Sequence, residues 1–109
     1  MIKFVVVLSK RKDMTRADFS SYLRTTHRDL AWKLPGLKQY AQNHVANDPK
    51  RQPPAWDAVV ELYWESREAM EAAWASPEGE RATKDLEAFA DLSRTSWSLV
   101  EEFREEEFL

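Results

Sequence analysis

The sequence predicts one α+β domain in which a four-stranded antiparallel sheet carries helices on one face. Four apolar, β-branched or aromatic runs alternate with two stretches of helical periodicity, in the order β-α-β-β-α-β. With right-handed crossovers this order gives the ferredoxin-like arrangement. The length of 109 residues suits a single domain, with 43% hydrophobic and 32% charged residues. We expect the core in about residues 1–103 and an acidic end at 104–109.

The first half of the chain is predicted to form two strands and one long helix. Residues 2–9 (IKFVVVLS) are apolar and β-branched, as is typical of a strand. The helix begins at Thr15, since Asp18 completes the pattern of a capping box, and it ends at the Pro-Gly pair at 35–36. The second strand is predicted at about 37–46 (LKQYAQNHVA). The apolar stripe of the helix consists of Phe19, Tyr22, Leu23, Thr26, Leu30 and Leu34.

The second half is predicted to form two strands and a broken helical segment. Three prolines in residues 47–55 exclude a central strand there, so this stretch is a loop. The predicted elements are a strand at 56–64 (WDAVVELYW), a helix at 66–76 capped by Ser66, a further helical segment at 77–91 that begins at Pro77, and a strand at 95–103 (TSWSLVEEF).

Strand alternation predicts a sheet with two apolar faces. The helix-facing side carries Phe4, Val6 and Leu8 of the first strand and Ala58, Val60, Leu62 and Trp64 of the third. The opposite side carries Val5, Val7, Val59 and Tyr63, where a face in contact with water would be polar. We therefore expect the same face of a second subunit to cover it, which predicts a homodimer.

Several classes of function are excluded by composition. The absence of Cys excludes a disulfide scaffold, a thiolate metal cluster and a cysteine nucleophile. No apolar run approaches the ~18 residues of a membrane span and no signal-peptide pattern is present, so we expect a cytoplasmic protein without a membrane partner. The two Gly are too far apart for a phosphate-binding loop, and there is no G-x-S-x-G motif. With two His and no Cys, we expect neither a metal site nor a cofactor.

Charge is divided unevenly along the chain. Residues 1–54 contain 11 basic and 4 acidic side chains (+7), and residues 55–109 contain 5 and 15 (−10), which together give −3. A basic half can indicate nucleic-acid binding, but residues 10–12 (KRK) form the only basic cluster. We therefore expect no nucleic-acid partner and interpret the asymmetry as mutual attraction of the two halves.

The stretch from Met14 to Val45 carries a recognisable motif. MTRADFSSYLRTTH has the pattern M-S/T-x-x-x-F-x-x-Y followed by His27, and HRDLAWKLPGLKQYAQNHV adds P-G-L, a Tyr and N-H-V. This motif resembles that of the EthD-like family of the dimeric α+β barrel superfamily. The resemblance implies a single EthD-like domain over residues 1–109. It also implies a homodimer through paired sheet faces and a pocket between the sheet and the helices.

The chemistry of that family is mixed. It includes an accessory protein of an ether-degrading cytochrome system, fungal polyketide dehydratases and methylmuconolactone methylisomerases, and the wider superfamily includes cyclases and cofactor-free monooxygenases. The resemblance implies a small cofactor-free enzyme that acts on a cyclic or aromatic small molecule as an isomerase, dehydratase, cyclase or monooxygenase. The alternative is a non-catalytic accessory or ligand-sequestering protein.

His27 and Tyr40 are the candidate catalytic residues. His27 lies beside the apolar stripe near the helix C-terminus, where the macrodipole favours its protonated form. The resemblance to the methylisomerases implies acid/base catalysis by His27, with Tyr40 orienting a substrate oxygen. The structural alternatives are a buried hydrogen-bonded His and a Tyr that only packs across strands. A third histidine that methylisomerases carry in the loop after strand two has no match, since Gln52 occupies that region.

Further ligand-binding candidates lie on the strands. Strand alternation puts His44 on the same face as Tyr40 and Asn43 on the other, so that all three cannot line one pocket without a bulge. The aromatic residues are expected in the core rather than around a haem, and some can form apolar pocket walls. The substrate-binding candidates are Asn43, His44, Phe4, Trp64 and Trp97, and Trp32, Trp56 and Trp74 complete the aromatic set.

Overall fold

The computed structural model describes residues 1–105, which form a four-stranded antiparallel sheet in the order β2-β3-β1-β4 with helices on one face. This topology confirms the predicted α+β, ferredoxin-like fold. The strands are β1 (Ile2–Leu8), β2 (Gln39–His44), β3 (Ala58–Trp64) and β4 (Ser96–Val100), and the helices are α1 (Arg16–Tyr22), α2 (Arg28–Ala31), α3 (Arg67–Ala75) and α4 (Pro77–Asp85).

Three helices begin at capping hydroxyl groups. The side chain of Thr15 accepts a hydrogen bond from the amide of Asp18 at the start of α1. Ser66 caps α3 and Ser76 caps α4 in the same way, with Pro77 in the first turn of α4. Each hydroxyl satisfies a backbone donor that the first helical turn leaves unpaired, so all three predicted starts are confirmed.

The long helix predicted before the Pro-Gly pair is interrupted. Leu23–His27 forms one π-helical turn between α1 and α2, and α2 ends at Ala31. In an α-helix, residues four apart are rotated from one another by about 40° around the helix axis. A π turn holds an additional residue, so that residues four apart point in nearly the same direction. As a result, the buried face consists of Phe19, Leu23, His27 and Ala31. Thr26, which the helical period places in the apolar stripe, is exposed.

Several predicted elements extend too far. β4 ends at Val100, which pairs with Lys3 near the start of β1, so the chain beyond it has little of β1 left to pair with. Phe103 is therefore 87% exposed rather than part of the sheet. β2 ends opposite Ala58, where β3 begins, so both strands are shorter than expected. The helical segment continues beyond α4 only as a 3-10 turn over Leu86–Ala88. Of the predicted acidic end, residues 106–109 lie outside the described residues.

The register separates the sheet into the two predicted faces. Val6 pairs with Val60 on one side and Trp97 on the other, and the positions aligned with them face the helices. Val7 pairs with Val59 on the opposite, half-buried face. The largest fully buried side chains on the helix side are Trp64, Phe19, Phe89, Leu8 and Leu23. Trp32 and Trp56 are exposed instead, because they follow α2 and precede β3, outside the packed layers.

Ion pairs join the basic first half of the chain to the acidic second half. Lys3 lies 3.3 Å from Glu61 and 3.1 Å from Glu102. The buried carboxylate of Asp57 accepts hydrogen bonds from Arg16 and from the backbone amide of Lys10. These contacts support the interpretation that the two halves attract one another.

We predict that Gly79→Ala lowers the free energy of unfolding by about 2–3 kcal/mol, as measured by urea denaturation. An added Cβ would lie 2.5 Å from the carbonyl oxygen of Trp74 and closer still to that of Ala73, so the backbone of α3 or α4 would have to move. Glu80→Ala, at an exposed position of the same turn, is the control and should change stability by less than about 0.5 kcal/mol. Equal stability of the two variants would contradict this close approach.

Candidate functional site

An apolar cavity lies between the sheet and the helices. Aliphatic side chains form most of its wall, together with His27, Tyr40, Trp74 and Trp97. Its volume is about 30 Å³, room for about two water molecules. A second chamber of about 190 Å³, which is open to solvent beside the half-exposed Trp97, shares Trp74, Thr83 and Trp97 with it and is also lined by Phe4. Because a cavity of about 150 Å³ can bind benzene, the second chamber has room for one ring.

His27 enters this cavity from the π-helical turn and is held by a carboxylate of α4. Its Nδ1 lies 2.9 Å from Oδ2 of Asp85, and the hydroxyl of Tyr22 donates a hydrogen bond of 2.8 Å to Oδ1 of the same carboxylate. A carboxylate accepts hydrogen bonds, so Nδ1 carries the hydrogen and Nε2 keeps its lone pair. Nε2 has no hydrogen-bond partner among residues 1–105. The bond to Asp85 thus holds the ring of His27 in a fixed orientation with Nε2 free to accept a proton.

Burial determines the charge of this histidine. The side chain is only 9% exposed, and desolvation lowers the pKa of His27 below its usual value although the bond to Asp85 opposes the shift. Burial thus acts against the protonated form, which the helix C-terminus by itself is expected to favour. Burial and the bond to Asp85 also raise the pKa of Tyr22 to about 12, so that its hydroxyl stays a donor.

A second polar group of residues lies on the helix-facing side of β2. Tyr40, Gln42 and His44 alternate along the strand and are connected through the side chain of Gln42. His44 also contacts the hydroxyl of Ser20 on α1, with 3.0 Å between Nδ1 and Oγ. Burial raises the pKa of Tyr40, and burial together with the charge of Arg24 lowers the pKa of His44. Of these side chains, Tyr40 reaches the cavity wall.

The structure brings only some of the predicted site residues together. His27, Tyr40 and Trp97 line the first chamber, and Phe4 lines the second. The structure does not bring Asn43, His44 or Trp64 to either chamber, although all three were candidate ligand contacts.

Each of these three differences has a physical reason. Asn43 is exposed on the opposite sheet face, as strand alternation without a bulge requires, and bonds the carbonyl of Val59. Trp64 is fully buried, and its indole donates to the carbonyl of Pro35. His44 lies behind Gln42, to which its ring is bonded.

The sequence interpretation missed Asp85 and Gln42. It included Trp74 in the aromatic set but did not name it as a residue of the pocket wall. Asp85 is one of many acidic residues in its region, and the only signal is its position between Ala82 and Leu86 on the edge of the apolar face. Gln42 lies two residues after Tyr40 on the same strand, and this spacing places both side chains on the same face of the sheet.

Metal binding and membrane insertion receive no support from the described part of the chain. Across residues 1–105, no three His, Cys, Asp or Glu side chains are grouped so that they could hold a metal ion. Within the same range, no helix combines the length and apolar character that crossing a bilayer requires.

These features define a ferredoxin-like α+β protein with an apolar cavity beneath its helices. The EthD domain family matches residues 11–93, and the chain therefore belongs to the EthD family, as the sequence motif predicts. A curated relative, an uncharacterised 11.0 kDa protein of the thcB-thcC intergenic region of Rhodococcus erythropolis, is 32% identical over 74 residues. That alignment covers 68% of this chain and 71% of the relative.

Solved structures show the same fold. An EthD family protein of Bacillus halodurans superposes with a TM-score of 0.79 at 22% identity, over 94% of this chain and 100% of that one. A dimeric ferredoxin-like protein of unknown function from Thermobifida fusca has a TM-score of 0.68 at 17% identity, over 91% and 88%. SnoaB of Streptomyces nogalater, a cofactor-independent oxygenase, has a TM-score of 0.62 at 15% identity, over 95% and 94%.

We predict that the free energy of unfolding falls as the pH is lowered from 7 to 5. The pKa values of His27 and His44 are both lowered in the folded chain, so the unfolded chain binds protons first. The stabilisation is therefore complete above the unfolded value of about 6.5 and decreases below it. In urea denaturation at several pH values, His27→Gln should make this dependence shallower, and His44→Gln is the matched variant. An unchanged slope in His27→Gln would show that this ring is not held neutral by burial.

Proposed function

We propose that this protein is an enzyme that binds a small cyclic or aromatic molecule in the cavity and transfers a proton with His27, without a metal ion or an organic cofactor. One observation carries the proposal: Asp85 holds Nδ1 of a buried His27 at 2.9 Å, while the same ring lines an apolar cavity. A neutral imidazole fixed by a carboxylate is the usual form of a general base.

The proposed step uses Nε2 of His27 as the base. It takes a proton from a C–H or O–H group of the ligand, and the electron pair of the broken bond stays on the ligand. Asp85 stabilises the imidazolium that forms, because its carboxylate then faces a full positive charge. Return of the proton to another carbon completes an isomerisation, and its transfer to a departing hydroxyl completes a dehydration.

The fold is compatible with this proposal. The cofactor-independent oxygenase of S. nogalater has the same fold, so this architecture is compatible with chemistry that uses no cofactor. Cyclic substrates are favoured because the cavity is apolar and the second chamber has the volume of one ring.

We predict that His27→Ala lowers turnover about 10²–10⁴-fold, the usual contribution of a general acid or base. The measurement is a turnover screen against muconolactones, phenols and polyketide-like aromatic compounds, with the thermal midpoint of each variant recorded. Asp85→Asn should also lower turnover, because the amide can present a donor to Nδ1 and favour the wrong tautomer. Tyr22→Phe is the control, since it removes a bond to Asp85 but leaves the bond between Asp85 and His27 in place.

Two outcomes would contradict this assignment. A His27→Ala protein that is less stable but equally active per folded molecule would leave His27 with a structural role. Ligand binding without turnover of any compound class would instead identify an accessory or ligand-sequestering protein.

We also propose a homodimer formed through the sheet face that carries Val5, Val7, Val59 and Tyr63. These side chains are half-buried in the single chain and project away from the helices. The T. fusca protein of the same fold is dimeric, which supports the proposal.

We predict that Val7→Lys yields monomers at micromolar concentration in analytical ultracentrifugation, because it would place a charge in the buried interface. The control is Val7→Thr, which keeps the shape of the side chain and should remain dimeric. A wild-type protein that sediments as a monomer would contradict the proposed assembly.

A further inference from the structure

The side-chain amide of Gln42 has only one possible orientation. One of its terminal atoms lies 2.9 Å from the carbonyl oxygen of Leu23 and 2.9 Å from the hydroxyl oxygen of Tyr40. A carbonyl oxygen can only accept a hydrogen bond, so the atom facing Leu23 is the amide nitrogen. Its second hydrogen goes to the oxygen of Tyr40, which therefore accepts this bond.

The other end of the amide is also occupied. Oε1 of Gln42 lies 2.8 Å from Nε2 of His44, and Nδ1 of that ring lies 3.0 Å from Oγ of Ser20. Because Oε1 accepts, Nε2 of His44 carries the hydrogen and Nδ1 accepts from the hydroxyl of Ser20. Gln42 cannot reverse its amide without losing these bonds, so it is fixed as a donor to Tyr40.

The hydroxyl hydrogen of Tyr40 consequently has to find another acceptor. None is present among residues 1–105, and the side chain of Tyr40 lines the cavity. The side chain of Trp74 lines both chambers, but its Nε1 is fully buried and does not reach the cavity surface, so the hydroxyl of Tyr40 is the donor that a ligand can meet. An unpaired donor in an apolar cavity costs free energy that a ligand oxygen would recover.

We propose that the cavity selects a ring carrying a carbonyl oxygen, and that Gln42 is the positioning residue that makes Tyr40 a hydrogen-bond donor to this oxygen. The inference rests on the proposed function, because it assumes that the ligand occupies this cavity. When His27 removes a proton from the carbon beside the carbonyl, the C–H electron pair forms a C=C bond and the π pair of the C=O bond moves to the oxygen. Tyr40 then donates to the enolate oxygen, where negative charge has developed.

The first test measures the direction of the bond between Gln42 and Tyr40. Gln42→Glu replaces a donor by an acceptor, so the hydroxyl of Tyr40 turns toward the new carboxylate. The pKa of Tyr40 should rise above its wild-type value, because in the wild type the bond from Gln42 partly opposes the effect of burial. Arg28, whose charge also acts on Tyr40, is the same in both proteins. Ultraviolet titration against Tyr40→Phe in each background isolates this phenol.

A control variant separates bond direction from packing. Gln42→Met keeps the length of the side chain but removes both ends of the amide, so it should raise the pKa of Tyr40 less than Gln42→Glu does. If Gln42→Glu does not fold, the pKa of Tyr40 in Gln42→Met still shows whether loss of the bond from Gln42 raises it. A pKa of Tyr40 that is unchanged in both variants would overturn the inference.

The second test measures selectivity with two probes of equal shape. Acetophenone carries a carbonyl oxygen, and α-methylstyrene has a methylene group in its place. The wild type should bind acetophenone about five- to tenfold more tightly, by calorimetry or ligand-observed NMR. Tyr40→Phe and Gln42→Glu should each reduce this preference, while the affinity for α-methylstyrene stays within about twofold.

The outcomes distinguish this inference from the proposed function. Equal affinity of the wild type for both probes would overturn the selection of a carbonyl oxygen but would still support a small-molecule cavity. Failure of both probes to bind at millimolar concentration would contradict the proposed cavity ligand itself. A preference that persists undiminished in Tyr40→Phe would overturn the roles of Tyr40 and Gln42.

Discussion

The π-helical turn at Leu23–His27 is the constraint on which both halves of the candidate site depend. By holding one additional residue, it turns His27 toward the cavity in line with Phe19 and Leu23. The same turn supplies the carbonyl of Leu23 that fixes the amide of Gln42. A regular α-helix would rotate the histidine toward the edge of the packed face. Local helix geometry therefore sets the orientation of His27, and through Gln42 it sets the hydrogen-bond direction at Tyr40.

Asp85 connects this turn to the second helical layer. Its two carboxylate oxygens bind Tyr22 and His27, which lie about one helical turn apart, while Asp85 itself belongs to α4. The contact both holds the helices together and orients the imidazole. Burial and the carboxylate act on His27 in opposite directions, and burial is the larger effect. The result is a neutral ring whose protonated form still has a stabilising partner beside it, as a proton-transferring group requires.

The sequence predicts the fold well because strand and helix periods are local properties. The alternation of Val6 and Val7, or of Val59 and Val60, follows from neighbouring residues alone, and the register confirms it. The caps at Thr15, Ser66 and Ser76 are local in the same sense. The element ends are less predictable, because β4 stops where β1 has little left to pair with, and that limit is set by another part of the chain.

The site is predictable only in part, for the same reason. His27 and Tyr40 stand in a family motif, and both reach the cavity. The partner of His27 is 58 residues away, and no local pattern distinguishes Asp85 from the other acidic residues of α4. The π turn is not visible in the apolar pattern, and a regular helical period therefore places Thr26 rather than His27 in the apolar stripe. Long-range pairing and local helix widening thus account for most of what the sequence interpretation missed.

Strand alternation also places the proposed dimer interface and the cavity on opposite faces of the sheet. Val7 and Val59 face away from the helices, whereas their neighbours Val6 and Val60 form part of the cavity wall. A charge placed on the outer face therefore enters the proposed dimer interface without adding an atom to the cavity. Because β2 follows the same rule, Asn43 belongs to the outer face and Gln42 to the inner one. We therefore expect that the proposed dimer and the proposed ligand selection can be changed independently, by substitutions one residue apart along the same strand.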